Sequence, residues 1–316
     1  MITISDDELR RWLAEDVPYG DLTTHALDIG NRAGRIRFEA RQAMVAACSE
    51  EAGRIMTMAG ATVTAAAPSG TELQAAALLL AAEGPAAALH AGWKVSQTLL
   101  ETAGGIAATA RDIVAAARRA KPDIVVACTR KSLAGTRSLS IKAILCGGAV
   151  PHRLGLSETI LVFAQHRAFT GDASLAAIID RLRQRAPEKK IVVEADTLDE
   201  AVATAEAGAD IVQLDKASPE DVARLRRYCE GRTPRPLVAA AGGINAANAA
   251  DYARAGADVI VTSAPYTARP LDVKVTMEPL AAGGSVGLSP SAVGEFPFCL
   301  ANRDYRRCLA DPELTP

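Results

Sequence analysis

The stretches "EAGADIVQLD" (residues 206–215) and "RAGADVIVTS" (residues 254–263) decide the fold, because they repeat one pattern at two places in the chain. In each, a helical segment ends at a glycine turn and is followed by a run rich in β-branched residues, which favours a strand. Similar runs recur from residue 123 onward: "DIVVACTR" (123–130), "ETILVFA" (158–164), "KIVVEAD" (190–196), "ADIVQLD" (209–215), "PLVAAAG" (236–242) and "ADVIVTS" (257–263). The segments between them, such as "SPEDVARLRRYCEG", space their apolar residues as helices do.

This alternation of strands and helices predicts an α/β fold. The runs are apolar on both faces, which is typical of parallel strands covered by helices. Six strand–helix units fit a closed or nearly closed α/β barrel that is shorter than the common eight-stranded form. A doubly wound open sheet remains an alternative on pattern alone.

The chain before residue 123 indicates a separate, small α+β unit. Residues 5–14 are predicted to form a helix opened by a capping box of Ser5 and Glu8. Loosely alternating stretches on both sides of residues 49–59 predict strands around a helix, and the pattern of residues 94–120 is helical. A break in that helix is expected at the glycine pair of residues 104 and 105.

These patterns divide the chain into four parts. We predict an N-terminal domain over residues 1–104, an α/β barrel over residues 105–270 and a return segment over residues 271–280. Residues 281–316 are rich in Gly, Pro and Ser and lack periodicity, so an irregular or mobile tail is expected there.

Charge and composition exclude several classes of function. The 35 lysines and arginines nearly balance 37 aspartates and glutamates, so a field that recruits nucleic acid or an anionic membrane is not expected. The longest apolar run, residues 75–82, is too short to span a bilayer, and the acidic N-terminus is unlike a signal peptide, so a cytoplasmic location is expected. The six cysteines form no C-x-x-C pair, which argues against a zinc site or a disulfide framework.

Polar residues or a glycine pair lie late in, at the end of, or directly after five of the six predicted strands. They are Arg130 with Lys131, Glu194, Asp215, Gly242 with Gly243, and Ser263. The carboxyl ends of parallel strands share one crevice, where ligands bind in such folds. These residues are therefore expected to converge on one site, although any one of them could simply meet solvent.

The segment after the first strand adds positive charge and no carboxylate. Between residues 130 and 153 it contains Arg130, Lys131, Arg137, Lys142, His152 and Arg153. Guanidinium groups bind carboxylates and phosphates, and glycine pairs expose amides to phosphate oxygens, so an anion pocket is predicted. A solvated basic face is the alternative.

The two acids at neighbouring strand ends indicate what lies opposite that anion. Glu194 and Asp215 could hold vicinal sugar hydroxyls, or a magnesium ion that bridges phosphates. A cationic pocket beside an acidic one is what phosphoribosyl transfer needs, because that reaction depends on positioning and charge stabilisation.

Several motifs resemble those of the quinolinate phosphoribosyltransferase family, in the same order and spacing. They are "LAEDVPYGDLTT" (13–24), "TRKSLAGTR" (129–137), "HRLGLSE" (152–158), "VEADTLDEA" (193–201), "LD" (214–215) and "GGI" (242–244). The resemblance extends to about residue 280 and is strongest toward the ModD branch, a pyrophosphorylase group associated with molybdate transport. It implies an N-terminal α/β sandwich domain, a six-stranded α/β barrel and a homodimer in which each N-terminal domain closes the partner's barrel.

The resemblance also implies roles for the residues singled out above. Arg130, Lys131, His152 and Arg153 match positions that bind the carboxylates and phosphates of the two substrates, and Arg137, Lys142 and Ser263 are expected beside them. Glu194 and Asp215 match the acids that hold the phosphoribosyl group and its Mg²⁺, and Gly242 and Gly243 match a phosphate-binding turn. Lys94 takes the place of an arginine lent across the dimer.

Three departures from the family make the pocket less polar. Phe163 stands where quinolinate enzymes have a lysine, residues 239–241 are alanines in place of Glu-Ser-Ser, and Tyr266 begins a stretch that replaces Thr-His-Ser. The resemblance therefore implies a Mg²⁺-dependent transferase that joins a small (hetero)aromatic acid to 5-phosphoribosyl 1-pyrophosphate (PRPP) and releases pyrophosphate.

Two alternatives of other kinds stay open. The same cationic pocket could serve a non-catalytic anion-binding accessory of molybdate transport. An aldolase-like barrel enzyme would instead need a Schiff-base lysine, for which Lys131 is the candidate. Asp21 is interpreted as a cap of the next element, and His25 and His166 as structural histidines.

Overall fold

The N-terminal part of the protein combines short strands with three helices and one long helix. The computed structural model describes residues 2–281. Its first elements are α1 (Asp6–Asp16), α2 (Leu22–Ala26), β1 (Ala33–Ala40), β2 (Met44–Val45), α3 (Ser49–Met58), β3 (Thr62–Ala66), β4 (Glu72–Leu73), β5 (Leu78–Pro85) and α4 (Ala86–Ala120). The predicted tail lies, from residue 282 onward, outside the described residues.

The remaining elements alternate strands with helices, as the sequence predicts. They are β6 (Val125–Cys128), α5 (Arg137–Cys146), β7 (Val150–Pro151), β8 (Ile160–Val162), α6 (Ala164–Arg167), α7 (Leu175–Arg185), β9 (Ile191–Ala195), α8 (Leu198–Glu206), β10 (Ile211–Asp215), α9 (Pro219–Glu230), β11 (Leu237–Ala241), α10 (Ala249–Arg254), β12 (Val259–Thr262), a 3-10 turn (Ala264–Thr267) and β13 (Val273–Pro279). Within residues 2–281 no helix combines the length and apolar character needed to cross a membrane.

The N-terminal sheet is antiparallel, with strand order β13-β1-β5-β3. Residues along β1 alternate between partly exposed and buried, and its buried face includes Ile36 and Phe38, both fully enclosed. The sheet packs on both α4, which contacts β1, and α3, which contacts β3 and β5. These helices contribute Leu100 and Ile55 to the same core. The outer strand β13 is supplied by the end of the described chain, within the segment predicted to return.

Both N-terminal helix caps predicted from the sequence are present. The Ser5 hydroxyl accepts from the Glu8 amide at 3.2 Å, and Asp21 Oδ1 accepts from the Thr23 amide at 3.0 Å. The reciprocal half of the capping box is not formed. The Glu8 carboxylate instead accepts a hydrogen bond of 2.7 Å from the hydroxyl of Ser138, at the start of α5.

The expected break at Gly104 and Gly105 is wrong, because α4 runs through both glycines without interruption. Their role lies in packing. A Cβ on Gly105 would lie 2.3 Å from the carbonyl oxygen of Arg269, and one on Gly104 would lie 2.5 Å from Met44 Cε. The missing side chain of Gly105 lets the backbone of Arg269 approach the helix, and that of Gly104 leaves room for the Met44 side chain. The predicted boundary between residues 104 and 105 lies inside α4.

The second sheet has seven parallel strands in the order β7-β6-β12-β11-β10-β9-β8. Six of them are the predicted runs, and the two-residue β7 is the addition. The ladder stays open between β7 and β8, yet residues beside both edges line one cavity, so the sheet curls into a half-barrel. The prediction of an α/β barrel is confirmed as a half-barrel, and the alternative of a doubly wound open sheet is wrong.

The turns that connect helix to strand follow the repeated sequence pattern. Gly208 and Gly256 occupy the left-handed region, with φ of +89° and +94°. A residue with a Cβ is strained in that conformation, which explains glycine at both helix ends. Inside the half-barrel, small side chains from three strands form a separate apolar cluster: Ala127, Ala239, Ala241 and Val261. Their small size leaves space at the carboxyl ends of the strands.

Candidate active site

A cavity of about 580 Å³ opens at the carboxyl ends of the parallel strands. Every strand of the half-barrel ends beside it, because the strands are parallel and in register. Most of the residues predicted to form a site line this one cavity: Arg130, Lys131, His152, Arg153, Phe163, Glu194, Asp215, Gly242, Gly243 and Ser263. These residues therefore lie together at one cavity, as their positions at the strand ends predict.

One wall of the cavity is cationic. Arg130 and Lys131 follow β6, and Arg153 follows β7, where the amide of His152 donates to the Cys128 carbonyl at 2.8 Å. Within residues 2–281 none of these three cations lies within 4.0 Å of a carboxylate. Their charges face the cavity without an internal counterion.

Arg153 is the most enclosed of the three cations, with only 9% of its surface exposed. Burial, together with the charge of Arg130, lowers the pKa of its guanidinium. The guanidinium carbon lies 5.6 Å from the centre of the Phe163 ring, which is itself stacked on His166 at 5.6 Å. Phe163 thus makes an aromatic surface beside a buried cation.

His152 is a neutral imidazole at pH 7. Burial, reinforced by the positive charge of Arg153, lowers its pKa to about 4. A neutral ring has one donor and one acceptor nitrogen, so it can hydrogen-bond a ligand without adding to the charge of the wall.

The opposite wall is acidic. Glu194 lies in β9 beside Gln213 of β10, and the Gln213 amide donates to Glu194 Oε2 at 2.7 Å. Burial, with the nearby charges of Asp215 and Asp196, raises the pKa of Glu194. Asp215 ends β10, and one of its oxygens is 3.8 Å from Nζ of Lys216. Cations and carboxylates therefore face each other across the cavity.

A glycine turn closes a third side. Gly242 and Gly243 have φ of +90° and +70°, and a Cβ on Gly242 would lie 2.7 Å from the Lys216 amide nitrogen. Only glycine can take this path, while the space beside Gly243 is open. Thr262 holds the turn in place, because its hydroxyl donates to the Ile244 carbonyl at 2.6 Å.

Three residues predicted for the site lie elsewhere in the subunit. Lys94 is exposed on α4, with its ammonium 4.7 Å from the centre of the Trp93 ring. Arg137 is exposed at the start of α5, 3.5 Å from the Leu154 carbonyl. Neither lines the barrel cavity.

Lys142, the third, corrects the prediction that it forms a wall of the anion pocket. Its side chain is 4% exposed, and its ammonium lies 2.6 Å from Glu51 and 3.0 Å from Glu50, both on α3. The prediction considered only residues 130–153, which contain no carboxylate. The N-terminal domain supplies the missing acids, so the charge of Lys142 is neutralised inside the protein.

Several lining residues were not predicted: Thr129, Leu161, Gln213, Lys216, Asn245 and Thr262. Gln213 had a visible signal. In a strand, residues two apart share a face, so Gln213 lies on the same side as Asp215. A polar residue at that position in an apolar run indicates the barrel interior. The others depend on loop paths that the pattern does not reveal.

The acidic wall fits a magnesium ion only in part. No group of three or more His, Cys, Asp or Glu side chains in the described part of the chain could hold a metal. Glu194 and Asp215 supply two hard oxygen donors. Mg²⁺ commonly takes one or two carboxylates and completes its shell with water and substrate phosphates, so this pair suits an ion that shares its ligands with a substrate.

Lys131 is exposed at the rim of the cavity. A Schiff-base lysine is activated by a desolvated pocket or by neighbouring charge, and exposure provides no desolvation. The aldolase-like alternative therefore loses its structural support.

Comparison with known proteins gives consistent matches along the chain. Residues 21–103 match the family model described as quinolinate phosphoribosyl transferase, N-terminal domain, and residues 106–276 match that of the C-terminal domain. The chain is 51% identical over 258 residues to "Putative pyrophosphorylase ModD" of Rhodobacter capsulatus, covering 81% of this chain and 98% of that protein.

More distant proteins match over most of their length as well. Human nicotinate-nucleotide pyrophosphorylase (carboxylating) is 34% identical over 250 residues, which is 79% of this chain and 83% of that protein. The solved structure of NadC from Streptococcus pyogenes has a TM-score of 0.80 at 25% identity and covers 89% of this chain and 100% of that chain.

Proposed function

The chain belongs to the quinolinate phosphoribosyl transferase family, and from that premise we propose that its barrel cavity joins a (hetero)aromatic carboxylic acid to PRPP with release of pyrophosphate. Members of the family are phosphoribosyltransferases that are named pyrophosphorylases. In the reaction a ring nitrogen of the acid uses its lone pair to form a bond to C1 of the ribose. The bond from C1 to the pyrophosphate oxygen breaks, and its electron pair leaves with pyrophosphate.

The observation that carries the proposal is the division of one cavity into two walls. Arg130, Lys131 and Arg153 face it without counterions, whereas Glu194 and Asp215 face it from the other side. Among residues 2–281 these five side chains form one ion pair within 4.0 Å, between Asp215 and Lys216 at 3.8 Å. A ligand that is anionic at one end and rich in hydroxyl groups or metal-bound at the other would complement both walls. An acid together with a magnesium complex of PRPP has both properties.

Each wall then has a task in the transfer. Arg153 and Arg130 bind the carboxylate of the acid and set its ring against Phe163. The turn at Gly243 offers backbone amides to a phosphate. Glu194 and Asp215 hold the ribose hydroxyls and are the proposed ligands of Mg²⁺, which when bound neutralises charge on the pyrophosphate. The chemistry depends on positioning and electrostatics.

We further propose that the enzyme is a homodimer in which Lys94 serves the partner's site. In its own subunit Lys94 is exposed and lines a second cavity, of about 660 Å³, together with Trp12, Tyr266 and the 76% exposed Leu133. An exposed lysine beside uncovered apolar side chains suits a subunit interface. Sedimentation equilibrium tests the proposal, and a monomer at every concentration would contradict it.

A thermal-shift and turnover assay tests the proposed function. PRPP with MgCl₂ is expected to raise the melting temperature, because a ligand that binds only the folded state stabilises it. Pyrophosphate release should follow when a pyridine carboxylic acid is added. Stabilisation by molybdate alone, without pyrophosphate release from any acid, would replace the enzyme by an anion-binding accessory. An Arg130→Ala protein serves as the control for release that does not depend on the cavity.

The choice of acid is expected to depend on Phe163. Replacing Phe163 by lysine adds a fourth cation to the wall that contains Arg153, so kcat/KM should rise for acids with two carboxylates and fall for those with one. We expect the ratio of kcat/KM for quinolinate to kcat/KM for a monocarboxylic acid to rise about tenfold or more, since a charge-assisted hydrogen bond contributes roughly 1.5–3 kcal/mol. An unchanged ratio would place the discrimination elsewhere in the pocket.

A further inference from the structure

Gln213 is a polar residue that the fold itself does not need. It lies in the middle of β10 with 3% of its surface exposed, between the fully enclosed Val212 and Leu214. Its side chain points into the barrel and lines the cavity, whereas those neighbours belong to the apolar core. An apolar residue of similar length would fill the same space.

The amide of Gln213 is only half satisfied. Nε2 donates to Glu194 Oε2 at 2.7 Å, but Oε1 is buried and has no donor among the described residues. A buried acceptor without a donor destabilises the folded state. Turning the amide over does not resolve this, because it would place oxygen against the carboxylate of Glu194. The Gln213 side chain therefore destabilises the folded state in either orientation of its amide.

The benefit of that arrangement falls on Glu194. A carboxylate beside an open cavity can rotate, and a hydrogen bond from the neighbouring strand holds one oxygen in place. Because Gln213 and Glu194 are paired in register on adjacent strands, the bond is fixed by the barrel itself. The other oxygen of Glu194 is left to the cavity, beside Asp215.

We propose that Gln213 is a positioning residue that fixes Glu194 so that its second oxygen is presented to the ribose or magnesium end of PRPP. The inference rests on the proposed function. It adds Gln213 to Glu194 and Asp215 as a third polar side chain of the acidic wall. It also explains why a residue with an unpaired oxygen lies between two apolar core residues of β10.

The test compares Gln213→Met with wild type in two measurements. The melting temperature of the unliganded variant should stay close to that of wild type, because losing the unpaired oxygen offsets losing the hydrogen bond to Glu194. The dissociation constant of PRPP with MgCl₂, measured by isothermal titration calorimetry, should rise about tenfold or more. In turnover, KM for PRPP should rise more than KM for the acid.

A second variant and a control keep the outcomes separate. Gln213→Leu should behave like Gln213→Met, and Gln184→Met removes an exposed amide far from the cavity and should change neither measurement. A lower melting temperature with unchanged PRPP affinity, or failure of both variants to fold, would make Gln213 structural and overturn the inference. Wild type that does not bind PRPP would overturn the proposed function and this inference with it.

Discussion

The Lys142→Met protein is expected to be less stable than wild type by about 3–5 kcal/mol. Lys142 and Glu51 are enclosed almost completely, with 4% and 3% of their side chains exposed and 2.6 Å between the charged atoms. Removing the ammonium leaves a buried carboxylate whose nearest other cation is Arg54, at 3.9 Å. Domains of this kind are stable by only about 5–15 kcal/mol, so the loss should be plain in a urea unfolding curve.

A matched lysine gives the control for this prediction. Lys190 is also paired with an aspartate, Asp210, at 3.3 Å, but 78% of its side chain is exposed. Lys190→Met should cost no more than about 1 kcal/mol, because exposed ion pairs contribute little. The double variant Glu51→Met/Lys142→Met should recover much of the lost stability, because it removes both buried charges. Equal effects of the two single lysine variants would contradict the assignment of a buried pair.

The cluster of Lys142, Glu50 and Glu51 should also make the stability of the fold depend on pH in the acid range. Burial raises the pKa of Glu50, but hydrogen bonds from the hydroxyl and amide of Ser69 and from Lys142 outweigh it and lower the pKa to about 2. A group with a depressed pKa stabilises the fold above its ordinary value, here 4.5, and loses that contribution as the pH falls toward 2. Lys142→Met should reduce this loss, because one of the interactions that lower the pKa is gone.

The second large effect is expected for Arg153→Met, which should lower kcat/KM for the acid by about 10²–10³-fold. Removing one partner of an enclosed charge pair typically changes the binding free energy by about 2–5 kcal/mol. Arg153 lies within 4.0 Å of no carboxylate among residues 2–281, and the proposed function makes the anionic substrate its partner. Unliganded Arg153→Met should keep the stability of wild type, since a buried unpaired charge is lost.

Steady-state kinetics at saturating PRPP, together with thermal unfolding, check this prediction. Arg153→Lys should lie between wild type and Arg153→Met, because lysine keeps the charge without the two-pronged guanidinium. Arg119→Met, at the exposed end of α4, should be indistinguishable from wild type. A fully active Arg153→Met protein would mean that the acid binds on another wall.

Most of the fold could be predicted from local sequence because its signals are local. The six β-branched runs and the glycine turns at residues 208 and 256 are determined by the backbone preferences of their own residues. The two-residue β7 could not be predicted, since it is too short to show a period. The helix break predicted at Gly105 was wrong because this glycine makes room for the backbone of Arg269, which is far away in the sequence.

The residues of the candidate site also fall into two groups, those whose place could be predicted from the sequence and those whose place could not. Residues at strand ends could be brought together by topology alone, because parallel strands finish on one side. Lys142 could not be placed, since Glu50 and Glu51 come from the other domain. Lys94 lies outside the barrel cavity of its own chain, and its place in a partner's site stays a prediction.

The position of β13 affects how this protein folds during synthesis. The N-terminal sheet needs β13 to cover the outer edge of β1, yet β13 is translated only after the whole half-barrel. Until then β1 presents an unpaired edge, the kind of surface on which chains associate wrongly. The domain that emerges first from the ribosome is therefore the one that is completed last, and an early arrest of translation leaves it with an open side.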